Sequence, residues 1–249
     1  VTRLLASWTP GEHTASDVTH PTYRKGTGPG VVIVHEIPGI TPKVIAFADE
    51  VVAAGFTVVL PHLFGTPERP MTVPYVISTI SRLCVNAEFT KLATGVTTPI
   101  AGWLRSLARD LHAELGGPGV GALGMCFTGG FALAMMVDPS VAAPVLAQPS
   151  APFPVGKARA ADLNLSPADL GVVKERAAAG CQVLGLQYPS DIATGTRFDT
   201  LTREIGDAFI RIEFGGKGHG TLTEERQQEG VDRVLAFFAE KLRQRPSAP

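Results

Sequence analysis

Short, wholly apolar runs alternate along this chain with longer stretches whose apolar residues recur every three or four positions. Val31-Val-Ile-Val34, bounded by Gly30 and Pro38, reads as a strand buried on both faces. Thr41-Pro42 then opens a helix, with Thr as N-cap and Pro at the first helical position. Val44, Ile45, Ala48, Val51 and Val52 form its apolar stripe, and Gly55 closes it. Strands are expected at Phe56 to Leu60, stopped by Pro61, and at Val120 to Gly124, Val141 to Ala147, Gln182 to Tyr188 and Ala208 to Phe214. Helices are expected over residues 97–115, Phe127 to Val137, Pro167 to Ala179 and Thr196 to Ile205. Thr221 and Glu224, in capping-box spacing, predict the start of a last helix that carries Val231, Val234, Leu235 and Phe238. Two-sided apolar strands alternating with helices imply a mostly parallel central sheet with helices on both faces, an α/β architecture. Residues 1–24 are expected to add an antiparallel edge hairpin. The Pro-rich residues 148–160 read as an excursion over the strand ends, so residues 1–249 form one domain.

Composition narrows the partners. Of 249 residues, 45% are hydrophobic and 18% charged, which implies a large apolar core rather than disorder. With 22 Lys+Arg against 23 Asp+Glu the net charge is −1, and no basic cluster offers a footprint for nucleic acid or an acidic membrane. The densest basic stretch, Lys241 to Arg245, reads as the solvated end of a helix. No apolar run reaches the ~18–20 residues of a spanning helix. Three cysteines at irregular spacing favour a reducing compartment, with a cytoplasmic location as the expectation. The six histidines show no metal-ligand spacing, so neither metal nor cofactor is expected.

Ligands of such sheets bind beyond the carboxyl ends of the strands. After Val120–Gly124 comes Met125-Cys126-Phe127-Thr128-Gly129-Gly130, a strand, tight turn and helix with one nucleophilic residue at the tip. Small neighbours let strand and helix approach there, and the helix N-terminus favours a thiolate at Cys126. On the motif alone, Cys126 reads either as a nucleophile or as one more buried cysteine. Cys84 and Cys181 have no such setting and read as packing residues. Asp191 follows the 182–188 strand and His219, between glycines, follows the 208–214 strand. The order Cys126…Asp191…His219 is the nucleophile–acid–histidine order of α/β-hydrolases. Asp199 is a rival acid inside a helix, and Ser190 is a rival nucleophile without an elbow. Triad glutamine amidotransferases also use a cysteine in such a turn, but pair it with His-x-Glu, whereas His219 is followed by Gly220-Thr221.

From Val31 to the last helix the chain resembles the dienelactone hydrolase family. The carriers are Val31-Val-Ile-Val-His35-Glu36-Ile37-Pro-Gly39-Ile, the elbow Gly124-Met-Cys126-Phe-Thr-Gly129-Gly130, Asp191, and Gly218-His219-Gly220. The resemblance implies an α/β-hydrolase fold and hydrolysis of small esters or lactones through a thioester acyl-enzyme. It implies Cys126 as nucleophile, His219 as base, Asp191 as the acid that orients the ring, and Glu36 as a buried glutamate governing the thiol. The backbone N–H groups of Ile37 and Phe127 would form the oxyanion hole. His35 is assigned no role beyond structure or rim.

Three positions depart from the family pattern. Thr128 replaces the elbow's second glycine and predicts a looser turn. Pro61-His62-Leu63 stands where the family has Pro-Asp-Leu. Thr223 stands four residues after His219, where relatives acting on carboxylated lactones carry an arginine; Arg69 or Arg82 are candidate substitutes. The acyl pocket is expected between segments 61–96 and 148–166, in a monomer or weak homodimer. A thioesterase or carboxylesterase with a different acyl pocket fits the same machinery. From another class, a small-ligand-binding protein with an idle triad is the second reading; a thiol resistant to alkylation and no ester turnover would mark it.

Overall fold

The computed structural model describes residues 3–83, 88–89 and 93–243. Cys84 and Arg245 lie outside the described residues. Eight strands form one sheet: β1 (Thr9–Ala15), β2 (Val18–Lys25), β3 (Gly30–Val34), β4 (Thr57–Pro61), β5 (Val120–Met125), β6 (Val141–Ala147), β7 (Val183–Gln187) and β8 (Phe209–Glu213). Their order is β1-β2-β4-β3-β5-β6-β7-β8, and β3 to β8 are mutually parallel. β2 is antiparallel to both β1 and β4. The expected edge hairpin is therefore present and runs on to Lys25, while Pro61 ends β4 in register with Thr22.

Alternation along β3 explains the layers. Val31 and Ile33 belong to one core with α1 (Pro42–Ala53) and α8 (Gln228–Leu242), through Val44, Phe47, Val231, Val234 and Phe238. Val32 and Val34 belong to the other, with α3 (Ile100–Leu115), α4 (Gly129–Met135), α6 (Pro167–Ala178) and α7 (Arg197–Ile205). Trp103 of α3 anchors the hairpin: its indole N–H donates to the carbonyls of His13 and Val18, and its ring meets His13 and His20 edge-on. Two short helices, α2 (Val73–Leu83) and α5 (Lys157–Ala161), lie in the segments between strands and the main helices.

Local signals mostly placed the elements well. Thr41 caps α1 by accepting the Val44 N–H, with Pro42 at the first position. Three expectations need correction. The helix expected from Phe127 starts as a 3-10 turn over Cys126–Thr128, and α4 begins only at Gly129. The helix expected from residue 97 begins at Ile100. Thr221 and Glu224 do not cap α8, which begins at Gln228. Thr221 donates its hydroxyl to Gln148 and Glu224 pairs with Lys43, so the would-be cap is taken up by tertiary contacts.

The chain passes from β3 outward to β4 and then returns across β3 to β5. Neighbouring strands thus send their connections in opposite directions, which opens a crevice at the carboxyl ends of β3 and β5. Glu36 leaves β3 and Cys126 leaves β5 at that crevice.

Candidate active site

The elbow is built by close approach. Cys126 has φ +53°, a left-handed conformation uncommon for a residue with a side chain. A Cβ at Gly124 would lie 2.1 Å from the Thr128 carbonyl oxygen, and one at Gly129 would lie 2.5 Å from Pro149 Cα. Only glycine fits at either position. Thr128 does not loosen the turn as expected. It is fully buried with right-handed helical angles, and its hydroxyl accepts the Met125 N–H at 3.1 Å. The same hydroxyl lies 3.0–3.1 Å from the carbonyls of Val34, His35 and Met125, so one proton stitches β3 to β5 beneath the sulfur.

The three residues from three strand ends come together. His219 Nδ1 is 2.7 Å from Asp191 Oδ2, and its ring lines the same cavity as the Cys126 sulfur. Burial opposes a charge on this ring, yet the Cys126 sulfur and the Asp191 carboxylate outweigh it and push the histidine up to about 11. Asp191 is held in turn. The Thr194 hydroxyl donates to Oδ2 at 2.7 Å and the Ala193 N–H to Oδ1 at 2.9 Å. Burial alone would raise this acid; the hydrogen bond from His219, its charge and these two donors keep it below the usual carboxylate range. Asp199 is instead paired with Arg211 at 2.7 Å on an exposed face, and Ser190 donates to the Gly216 carbonyl, so neither rival joins the cluster. Cys181 packs half-buried against the core, as expected for a packing residue.

Glu36 is 2% exposed, with the Thr223 hydroxyl donating to Oε1. Burial pushes its carboxyl up, against the hydrogen bond from Thr223 and the charge of His219. His35, beside it, is completely buried. Because the Leu63 N–H donates to Nε2 at 3.1 Å, the ring proton sits on Nδ1 and reaches the Glu36 carbonyl, also at 3.1 Å. His35 thereby ties the loop after β3 to the loop after β4.

Several supporting residues escaped the sequence. Gln148, fully buried at φ +37°, accepts the Thr221 hydroxyl at 2.6 Å, and its Nε2 has no partner meeting hydrogen-bond geometry. Ser150 Oγ stands 3.4 Å from the Cys126 sulfur. Glu225 accepts the Gly220 N–H at 2.8 Å and braces the histidine loop. Arg197 is 1% exposed and binds only main-chain carbonyls, those of Pro152, Arg159, Asp162, Ala193 and Thr194. It knits the Asp191 loop to the 148–160 excursion, and burial brings it down to about 10. A polar residue at the first turn of a predicted helix was its only trace in the chain.

A cavity of about 350 Å3 opens over Cys126 and His219. Met71, Val76 and Ile80 line it from one expected segment, and Ser150, Phe153 and Pro154 from the other. Neither Arg69 nor Arg82 reaches it. The Arg69 guanidinium lies over the Tyr75 ring at 4.2 Å, and Arg82 lines a separate depression with Phe64 and Thr79. Among the described residues, no cluster of three or more His, Cys, Asp or Glu is arranged to hold a metal ion, and no helix is long and apolar enough to cross a membrane.

A mostly parallel sheet flanked by helices, with an elbow after β5 at the switch of strand order, places the chain among the α/β-hydrolases. Residues 17–162 match the dienelactone hydrolase family model, and the chain belongs to that family and to its class, the carboxylic ester hydrolases. The match spans Glu36 and Cys126 and ends before Asp191 and His219. Solved structures agree on the fold. A dienelactone hydrolase from Anabaena variabilis superposes with TM-score 0.65 at 15% identity, covering 95% of this chain and 98% of the other. A cold-adapted esterase from an Arctic intertidal metagenomic library gives 0.63 at 13% identity, covering 96% of each chain. A dienelactone hydrolase-like promiscuous phosphotriesterase from metagenomic libraries gives 0.61 at 17% identity, covering 94% and 98%. A search of curated proteins found no match.

Proposed function

We propose that this protein hydrolyses small carboxylic esters, lactones included, through Cys126, His219 and Asp191. The observation that carries the reading is His219, bonded to Asp191 at 2.7 Å and lining one cavity with the elbow sulfur of Cys126. A ring so placed can take the thiol's proton as sulfur attacks.

The Cys126 sulfur adds to the ester carbonyl carbon and the C=O electron pair moves onto oxygen. The N–H groups of Ile37 and Phe127 receive that oxyanion; such donors are typically worth about 3–4 kcal/mol each. The tetrahedral species collapses, the C–O bond breaks, and the leaving alkoxide takes the proton from His219. In a lactone the alcohol stays tethered to the acyl group. His219 then removes a proton from water, hydroxide displaces sulfur from the thioester, and the thiolate and the protonated ring are restored. Asp191 keeps the imidazole oriented and stabilises its charge throughout. Glu36, a buried acid held by the Thr223 hydroxyl, lines the same cavity as the sulfur and sets the thiol's surroundings. Structural neighbours described as a dienelactone hydrolase and as an esterase support ester hydrolysis as the reaction class.

Hydrolysis of 4-nitrophenyl acetate by wild type and by Cys126→Ala tests the reading. Turnover is expected to fall by at least ~1,000-fold in the variant, with the circular dichroism spectrum unchanged. Residual activity within tenfold of wild type would move the nucleophile elsewhere.

A further inference from the structure

The cavity over Cys126 is one-sided in its chemistry. Its walls are apolar: Ile37, Met71, Val76, Ile80, Phe153 and Pro154. Beside His219, the ionisable groups of its oxygen chemistry are Glu36, Glu224 and Glu225, and none of the described lining residues is lysine or arginine. Glu225 is pinned at the histidine loop by the Gly220 N–H, so its carboxylate cannot swing away without freeing that loop. Lys43, the cation next to this wall, is already engaged by Glu224 at 2.5 Å. At about 350 Å3 the space lies at the small end of ligand pockets.

We infer that the site sorts its substrates by charge, accepting a short uncharged acyl chain and turning away one that carries a carboxylate. The inference rests on the hydrolase reading above and names its substrate class. A carboxylate drawn into this cavity gives up its hydration and gains no guanidinium or ammonium in exchange; the His219 charge is already engaged by Asp191, and the wall beside it carries Glu224 and Glu225. A methyl group in the same place loses nothing polar and is covered by Met71, Val76, Ile80 and Phe153.

The test compares 4-nitrophenyl hexanoate with mono-4-nitrophenyl adipate, which differ by a terminal methyl against a carboxylate on the same carbon count. Rates are corrected with Cys126→Ala as background. The kcat/KM ratio is expected to favour hexanoate by roughly 10-fold or more, the value of one missing charge-assisted hydrogen bond, and to shrink in 0.5 M NaCl. Met71→Arg, which sets a cation on the wall, should narrow the ratio at least fivefold by raising the adipate rate. Glu224→Gln, which releases Lys43, should move it the same way. A ratio near or below one overturns the charge selection and leaves the hydrolase reading intact. A large ratio unmoved by Met71→Arg, Glu224→Gln and salt also overturns it, since shape alone would then decide. No Cys126-dependent turnover of either ester overturns the hydrolase reading and this inference with it.

Discussion

His35 and His219 each stand just beyond the carboxyl end of a parallel strand, one after β3 and the other in the loop after β8. His35 is fully buried among neutral groups: it gives one proton to the Glu36 carbonyl and accepts the Leu63 N–H. Burial brings it down to about 3, so it is uncharged across the physiological range. His219 is half-buried, and the Cys126 sulfur and the Asp191 carboxylate carry it up to about 11 against the cost of that burial. The same side chain, in equivalent places on one sheet, becomes a structural staple or a proton holder. What separates them is the charge of the partner, because desolvation acts on both in the same direction.

Removing the partner should erase the difference. Asp191→Asn leaves the shape of the site and takes away the charge that orients His219. Its kcat is expected to fall by about 1,000-fold or more, read with 4-nitrophenyl acetate, with the circular dichroism spectrum unchanged. The corresponding change on the other side, His35→Leu, should act on stability instead. It leaves the Leu63 N–H and the Glu36 carbonyl without partners and is expected to cost about 2–3 kcal/mol in urea unfolding at pH 7. A His35→Leu protein as stable as wild type would show that these bonds do not hold the two loops.

A further contrast lies in the pH dependence of stability, where the two rings have opposite signs. Between the folded value of about 3 and the ordinary 6.5, the unfolded chain binds a proton that folded His35 refuses. Stability from this ring therefore rises with pH through that window, by at most about 1.4 kcal/mol per pH unit, and is full above 6.5. Folded His219 keeps a proton that the unfolded chain releases between 6.5 and about 11, so its contribution is full below 6.5 and fades as pH climbs. Unfolding curves from pH 4 to 10 should show a shallower acid limb in His35→Leu and a shallower alkaline limb in Asp191→Asn. Unchanged limbs would contradict the protonation states assigned here.

The parts of the site legible in the chain were those set by neighbours in sequence. Gly124, Cys126 and Gly129 announced the elbow because a strand can turn straight into a helix only where small residues allow it. Asp191 and His219 stood out as candidates because each comes soon after an apolar run. The capping-box spacing of Thr221 and Glu224 misled for the converse reason: their partners, Gln148 and Lys43, are distant in sequence and compete successfully with the local helix start. Thr128 misled too, since its hydroxyl finds carbonyls on β3 that no local rule could supply.

Strand and helix periodicity, the elbow and the order of Cys126, Asp191 and His219 were determined by the amino-acid sequence alone, because each depends on atoms a few bonds apart. Only the tertiary structure decided that Thr223 binds Glu36, 187 residues away, and that buried Arg197 serves main-chain carbonyls instead of an acid. It also decided that Arg69 and Arg82 stay outside the cavity lining, which leaves its described walls apolar and acidic around His219. These outcomes turn on which strand ends the sheet order brings together and on what each buried polar group can reach once water is gone. Spacing along the chain carries no record of either.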